Sequence, residues 1–253
     1  LAFEKKKVSP EWSIHCNGAY HFGDRVFHCW NKSGHGKVNL DLAIQQSCNI
    51  YFYQLVQKIS FKEWWKMTEE FGFGSLTGID LVGEKRGLVP TRDYMIKKYG
   101  RYGWAAGNLL TFIIGQGDVL VTPLQVAQFM NIIANKGEVT TPHLDKDQLL
   151  NSKKMKLSNT TWDFLQNATW QVVNHKEGTG KQAAVIGADV HGKTGTAQNS
   201  HGEDHSWFAG FMKLNGTPII SLAVIVEHGG KGSVVAASIS HKIFKYAKEN
   251  SPL

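Results

Sequence analysis

Ser47, Cys48 and Asn49 are consecutive, so a hydroxyl, a thiol and a carboxamide leave the backbone within three residues. Neighbouring side chains on a helix or tight turn diverge. Ser47 and Asn49 can therefore share one space while Cys48 enters another. A hydroxyl and a carboxamide turned to one space suit a catalytic cleft. A thiol turned away from them suits a metal. The expectation is that Ser47 and Asn49 face a cleft and that the Cys48 sulfur pins the segment from behind.

A second group lies far downstream, at His191-Gly192-Lys193-Thr194-Gly195-Thr196-Ala197-Gln198. Lys193, Thr194 and Thr196 offer an ammonium, hydroxyls and backbone N–H groups along one strand edge. Such an edge can hold a carboxylate and polarise a carbonyl. Taken alone, Lys-Thr-Gly reads more simply as a strand with glycines and a surface lysine.

The third group uses every cysteine: Cys16, Cys29 and Cys48, with His35 between them. Three thiolates and an imidazole form a closed tetrahedral set suited to structural Zn²⁺. Two plainer readings stay open, a Cys16–Cys29 disulfide with Cys48 buried, or three unrelated core thiols. His15, His21 and His28 are alternates if one cysteine is not a ligand. His201, Glu203, Asp204 and His205 could form a second metal site, though a polar hairpin loop is the simpler reading.

These groups need elements to carry them. Residues 8–38 read as irregular. From Asn39, apolar positions from Leu40 through Ile59 recur at helical spacing, with Asn39 as cap and the Ser47 segment opening or interrupting the helix. Phe61 to Phe71 reads as another helix, ended by Gly72-Phe73-Gly74. Residues 75–110 read as loops, and Thr111 to Gly117 as a buried strand or turn. Thr122-Pro123 should start a helix to about Asn135, closed by Gly137. Ser158 should cap another to about Asn174. Gly192–Gln198, Trp207–Leu214 and Ile219–Glu227 read as strands, the last as a central one with an antiparallel neighbour. Val234 to Lys248 reads as a closing helix. The expected class is α+β, an antiparallel sheet packed by helices with an all-helical subregion.

Composition narrows the function classes. At 253 residues, 42% hydrophobic and 19% charged, the chain is globular rather than disordered. A net charge of +7 suggests an acidic partner or polymer. No basic stripe with interleaved aromatics points to nucleic acid, so none is expected. Lys5-Lys6-Lys7 and Lys153-Lys154-Met155-Lys156 read as solvated faces. No apolar run is long enough to span a membrane, and there is no signal peptide. An odd cysteine count clustered in the first fifth argues against a disulfide framework. Leu1-Ala2-Phe3-Glu4 reads as the end of a helix cut in the middle, which suggests a missing upstream part.

Ser-x-x-Lys, Ser-x-Asn-type and Lys-Thr-Gly elements occur together in penicillin-binding proteins and class A β-lactamases. Two of the three are here, in that order. The chain resembles a penicillin-binding protein transpeptidase domain, most closely its class B branch that serves rod-shape elongation. Further motifs carry the resemblance: Gly34-His35-Gly36, Phe71-Gly72-Phe73-Gly74, Thr77-Gly78-Ile79-Asp80-Leu81 and Pro90-Thr91-Arg92. Ile114-Gly115-Gln116-Gly117 and Thr122-Pro123-Leu124-Gln125 add to it. It covers residues 1–253 as one domain lacking its N-terminal part. Within it, 8–48 would be a zinc-bound segment, 39–175 mainly helical, and 185–253 the sheet and closing helix.

The resemblance implies a serine-type D,D-transpeptidase working through an acyl-enzyme on peptidoglycan stem peptides, and trapped by β-lactams. In that pattern Ser47 relays a proton and Asn49 holds the substrate amide. Lys193 and Thr194, beside Gly195, hold the terminal carboxylate, and the Thr196 N–H lends half of an oxyanion hole. Some relatives hold zinc near this segment, with His35 and Cys48 on matching positions. Cys29 would replace one acidic ligand there, and Cys16 the other. The resemblance also implies an inner-membrane anchor upstream and a periplasmic catalytic domain. Implied partners are a glycan-polymerising enzyme and the rod-shape scaffold protein. No Ser-x-x-Lys occurs anywhere, so the nucleophile is expected upstream of Leu1. The alternatives are a β-lactam-hydrolysing or sensing relative, and a zinc-stabilised binding module without catalysis.

Overall fold

Residue contacts divide the chain into two units, each discontinuous in sequence: Leu1–Gly74 with Gly87–Leu120, and Ser75–Arg86 with Val121–Leu253. The computed structural model describes residues 1–104, 106–145, 147, 152–199 and 201–251.

The first unit begins with four short strands where the sequence suggested irregular chain. β1 (Ile14–Cys16) pairs antiparallel with β4 (Gly36–Val38), and β2 (Ala19–Phe22) with β3 (Arg25–His28). Strands of three or four residues leave too little periodicity to read. Helices α1 (Leu40–Gln45), α2 (Asn49–Leu55), α3 (Phe61–Glu70), α4 (Arg92–Tyr99) and α5 (Ala106–Ile113) follow. Asn39 caps α1 by accepting from the Leu42 N–H, and Ser60 with Glu63 forms a capping box on α3.

Two expectations need correction, and one holds. The helical period from Leu40 to Ile59 is interrupted at Gln46–Cys48, as the Ser47 segment suggested. The segment 75–110 contains α4 and the start of α5. Thr111–Gly117 is not a strand. It is the end of α5, closed by Gly115 at φ 74°. There the Gly115 N–H donates to Phe112 and the Gln116 N–H to Thr111, the two bonds of a Schellman ending.

The second unit holds α6 (Pro123–Ala134), the pair β5 (Glu138–Thr140) and β6 (Ser152–Lys154), α7 (Asn159–Asn174), and the sheet β7 (Asp189–Ala197), β8 (His205–Leu214), β9 (Thr217–Val226). Helix α8 (Val235–Glu249) closes it. Thr122 with Gln125 forms a capping box, and Ser158 caps α7. The sheet order is β7-β8-β9, all antiparallel. The strand that carries Trp207 is therefore the middle one, and the β-branched run from Ile219 flanks it. β-Branched composition marks a strand but not its place in a sheet.

Both faces of β8 are covered. Phe208 and Met212 join Val190, Ala236, Ala237 and Phe244 in one buried cluster. The next residue along, Phe211, lies on the opposite face and stacks on His191 at 4.4 Å between centroids. Gln166 of α7 links the elements of that face. Its amide donates to the Ile133 and Ala134 carbonyls at the open end of α6, and its side-chain oxygen accepts from Lys213. The His191 Nδ1–H donates to the Gln166 carbonyl at 2.8 Å. Helix-end carbonyls need such partners when buried. Gly192 faces Gly210 across the ladder because the Phe208 ring lies over them. A Cβ on Gly192 would sit 2.3 Å from that ring.

Candidate functional site

The break at Ser47 is a Schellman ending without glycine. The Ser47 N–H donates to the Ile44 carbonyl and the Cys48 N–H to the Ala43 carbonyl. This geometry forces Ser47 to φ 57°, in the left-handed region that costs an L-residue about 1–2 kcal/mol. Cys48 then serves as N-cap of α2 in an extended conformation, and Asn49 opens the helix. The reversal sends alternate side chains apart. Cys48 is fully buried, whereas Ser47 and Asn49 each keep some surface. The Asn49 Nδ2 donates to the His28 carbonyl at 3.3 Å. Strain kept at a non-glycine residue tends to mark a functional position.

Cys48 is buried toward Cys16, Cys29 and His35. One ligand atom from each of the four lies within 4.8 Å of the others, and all three cysteines are free thiols. The His35 Nδ1 is 3.6 Å from the Cys16 sulfur and 3.5 Å from the Cys29 sulfur. A tetrahedral zinc with bonds of about 2.3 Å to sulfur and about 2.0–2.1 Å to nitrogen requires N···S edges of about 3.5–3.6 Å. The histidine edges already meet that length, and the widest separation needs to close by about 1 Å. The residues therefore fit a Cys₃His centre. A Cys16–Cys29 disulfide is not formed. Among the described residues, His15, His21 and His28 do not join the cluster; His15 sits on the exposed side of β1.

The neighbouring Cys48 thiol, with the His35 contact, draws the Cys29 thiol well below its usual pKa, and the neighbouring Cys29 sulfur, with burial, pushes Cys48 up.

The loop that delivers Cys29 and His35 depends on a close approach. Gly34 lies at φ 79°, and a Cβ there would meet the Cys16 carbonyl at 2.2 Å. The Asn31 carboxamide accepts from the Ser33 N–H and donates to the Gly34 carbonyl, folding the loop over β1. Trp30 was not singled out by sequence. Its indole N–H donates to the Gln46 carbonyl at 3.0 Å, and its ring meets His35 edge-on at 5.3 Å. Its position next to Cys29 was the available signal, because a residue flanking a ligand shares the ligand's restraint.

In the other unit, Lys193 pairs with Ala209, Gly195 with Trp207 and Thr196 with Ser206 on the β7–β8 ladder. The Lys193 ammonium donates to the Thr194 carbonyl at 3.0 Å. The side chain keeps some surface, yet burial around the ammonium lowers its pKa to about 8. The Thr194 hydroxyl donates to the Thr179 hydroxyl at 2.8 Å, which explains the Gly178-Thr179-Gly180 turn beside the strand. The Gly232 N–H donates to the Thr196 hydroxyl. The edge thus presents an ammonium, two hydroxyls and backbone amides, a set suited to a carboxylate and an adjacent carbonyl.

His201, Glu203, Asp204 and His205 gather no metal set among the described residues. His205 instead accepts the His228 N–H through Nδ1 at 3.0 Å, and the His228 ring packs on it. The Thr77–Leu81 motif is a turn held by carboxylates. Glu84 accepts from the Thr77 N–H and hydroxyl, and Asp80 from the Leu144 and Asp145 N–H groups.

Comparison with known proteins agrees with this geometry. The family described as penicillin binding protein transpeptidase domain matches residues 1–245. A peptidoglycan D,D-transpeptidase MrdA from Haemophilus influenzae is 35% identical over 251 residues, covering 87% of this chain and 38% of that protein. Pseudomonas aeruginosa PBP2 in complex with WCK 5153 is 32% identical with a TM-score of 0.88, over 99% of this chain and 59% of that one. PBP2 in a complex with MreC from Helicobacter pylori is 31% identical with a TM-score of 0.84, over 97% of this chain and 47% of that one. The chain thus spans between 38% and 59% of these three proteins.

Proposed function

Because the chain belongs to the penicillin-binding protein transpeptidase family, we propose that it is part of a longer peptidoglycan D,D-transpeptidase of the penicillin-binding protein 2 branch. That enzyme cross-links stem peptides during cell elongation and is the target of β-lactams. The observation that carries this reading is the strained Ser47. A serine held left-handed at a helix end, with Asn49 opening the next helix, is costly to keep for packing alone.

The reaction begins with a serine of a Ser-x-x-Lys segment outside this chain. Its oxygen attacks the carbonyl of the penultimate D-Ala, the peptide C–N bond breaks, and D-Ala leaves as an amine. Ser47 relays the serine proton to that nitrogen. Asn49 holds the donor's amide. The Lys193 ammonium and the Thr194 hydroxyl hold the terminal carboxylate, and the Thr196 N–H supports the developing oxyanion. A lysine with a pKa near 8 is mostly cationic at neutral pH, and its desolvation strengthens its pull on a carboxylate. An amine of a neighbouring strand then attacks the acyl-enzyme and forms the cross-link.

Cys16, Cys29, His35 and Cys48 hold a structural Zn²⁺ in this reading, whose bond to Cys48 restrains Ser47 and Asn49. The site faces the periplasm, with an anchor elsewhere in the protein. A relative solved with MreC supports a partner protein for the whole molecule; we assign a rod-shape scaffold and a glycan-polymerising enzyme to that role.

Fluorescent penicillin tests the reading. The full-length protein should label covalently, Ser47→Ala and Lys193→Ala should label far more slowly, and residues 1–253 alone should not label. Wild-type labelling of the Ser47→Ala variant would overturn the assignment. Denaturation with a metallochromic dye should release about one equivalent of zinc; a clean zero removes the metal.

A further inference from the structure

Ser206 of β8 is fully buried, and its hydroxyl makes two hydrogen bonds to the chain that joins β9 to α8. It accepts the Ala236 N–H at 3.0 Å and donates to the Lys231 carbonyl at 3.1 Å. The first bond caps a helix from outside it. Val234 stands at the N-cap of α8 without a side-chain capping bond, so an N–H of the first turn finds its acceptor on β8. The second bond holds one end of a peptide group. The Lys231 carbonyl and the Gly232 N–H share one plane, and that N–H donates to the Thr196 hydroxyl at 3.3 Å. Thr196 and Ser206 are cross-strand partners on β7 and β8. One rigid peptide therefore bridges both strands, its oxygen tied to β8 and its nitrogen to β7.

The bridge lies directly on the strand backbone. A Cβ on Gly232 would sit 2.0 Å from the Gly195 carbonyl oxygen and 2.5 Å from that of Trp207, so only glycine permits the approach. The Val234 and Val235 N–H groups also donate to the Lys231 carbonyl, which closes the loop's own turn. The Ser206 hydroxyl is what ties that oxygen to the sheet. Resting on the transpeptidase reading above, we infer that Ser206 is a positioning residue for the oxyanion site. Its hydroxyl sets the Lys231–Gly232 peptide, that peptide holds the Thr196 side chain, and Thr196 lends its own N–H to the oxyanion. Ser206 touches no substrate. Because a peptide is planar, releasing its oxygen end lets its N–H end tilt, and Thr196 loses its restraint.

The test measures penicillin acylation in the full-length protein, resolved into the noncovalent dissociation constant and the acylation rate constant that follows. An oxyanion donor acts in the transition state and not in the bound ground state. Ser206→Ala should lower the rate constant about 10- to 100-fold, the scale of a misplaced catalytic group, and leave the dissociation constant unchanged. Thr196→Val removes the accepting hydroxyl while leaving the α8 cap in place, so its loss of rate cannot come from fraying of α8. It should match Ser206→Ala, and the double variant should be no slower than either single one. Ser206→Thr, which keeps the hydroxyl, should recover most of the rate. Amide exchange of residues 227–234 should quicken in Ser206→Ala and Thr196→Val alike. A wild-type rate constant in Ser206→Ala, losses that add in the double variant, or a loss confined to the dissociation constant each overturn the inference while leaving the transpeptidase reading. Failure of the wild-type protein to acylate defeats that reading, and the role of Ser206 with it.

Discussion

Ser47 and Asn49 in one unit and Lys193 in the other are held in place by different physics. Lys193 rides on a strand whose neighbour, β8, is buried on both faces, so hydrophobic packing fixes its position. Ser47 and Asn49 sit where a helix has been broken. Their position depends on a few directional contacts: two Schellman hydrogen bonds, the indole bond of Trp30 and the sulfur of Cys48. Packing is spread over many contacts and tolerates local loss. Directional contacts are few, so each controls more of the geometry. The sheet edge should therefore fail only when the unit unfolds, and the Ser47 segment should fail alone.

Four measurements can break or sharpen that contrast, all in the full-length protein. The largest effect is expected in the sheet. Phe208→Ala removes a fully buried ring at the centre of the core, and should cost about 3–5 kcal/mol by chemical denaturation. Labelling should be lost where that unit melts, while bound zinc, held in the other unit, should be retained. Next comes Cys48→Ser, or metal chelation, which should slow acylation about 10- to 100-fold. Amide-exchange protection of 205–226 should stay unchanged; a drop there would show that the two regions are not separable.

The third is a pH profile. The Lys193 ammonium, lowered to about 8 by burial, should give the rate constant for penicillin acylation an alkaline limb near pH 8. The sign for stability is opposite. A lysine depressed in the folded state favours unfolding at low pH, and that penalty fades as pH rises from about 8 toward the unfolded value. Lys193→Met should remove both dependences. The smallest effect is at Ser47. Ser47→Gly should be more stable than Ser47→Ala by about 1 kcal/mol, because only glycine accepts φ 57° without strain. Both should lose acylation alike. Equal stabilities would mean that the backbone there is not strained.

Much of the sheet unit was legible in advance. The caps Thr122 and Ser158, the three late strands and the closing helix follow from local rules of capping and periodicity. The order of strands did not, since it depends on which faces find partners. In the first unit, helix ends were legible where glycine marked them. Gly72 closes α3 as its position suggests. Gly115 closes α5 equally well, but its helix was missed because an apolar run of that length reads as strand or helix alike. Ser47 closes α1 with the same hydrogen bonds; the interruption was legible but its left-handed turn was not, since serine there is unfavourable. The tertiary surroundings impose the turn.

Residue types alone determined the chemistry on offer: a hydroxyl and a carboxamide flanking a thiol, three thiols with one imidazole, and an ammonium on a glycine-bearing strand. They could not determine the meeting of Cys16, Cys29, His35 and Cys48, because ligands 32 positions apart in the chain converge only after β1, β4 and the Gly34 loop close on one another. Nor could they place Ser47 in a left-handed turn. Local propensity counts energies of about a kilocalorie per residue, and burial of the Cys48 side outweighs them only once the surrounding chain has folded.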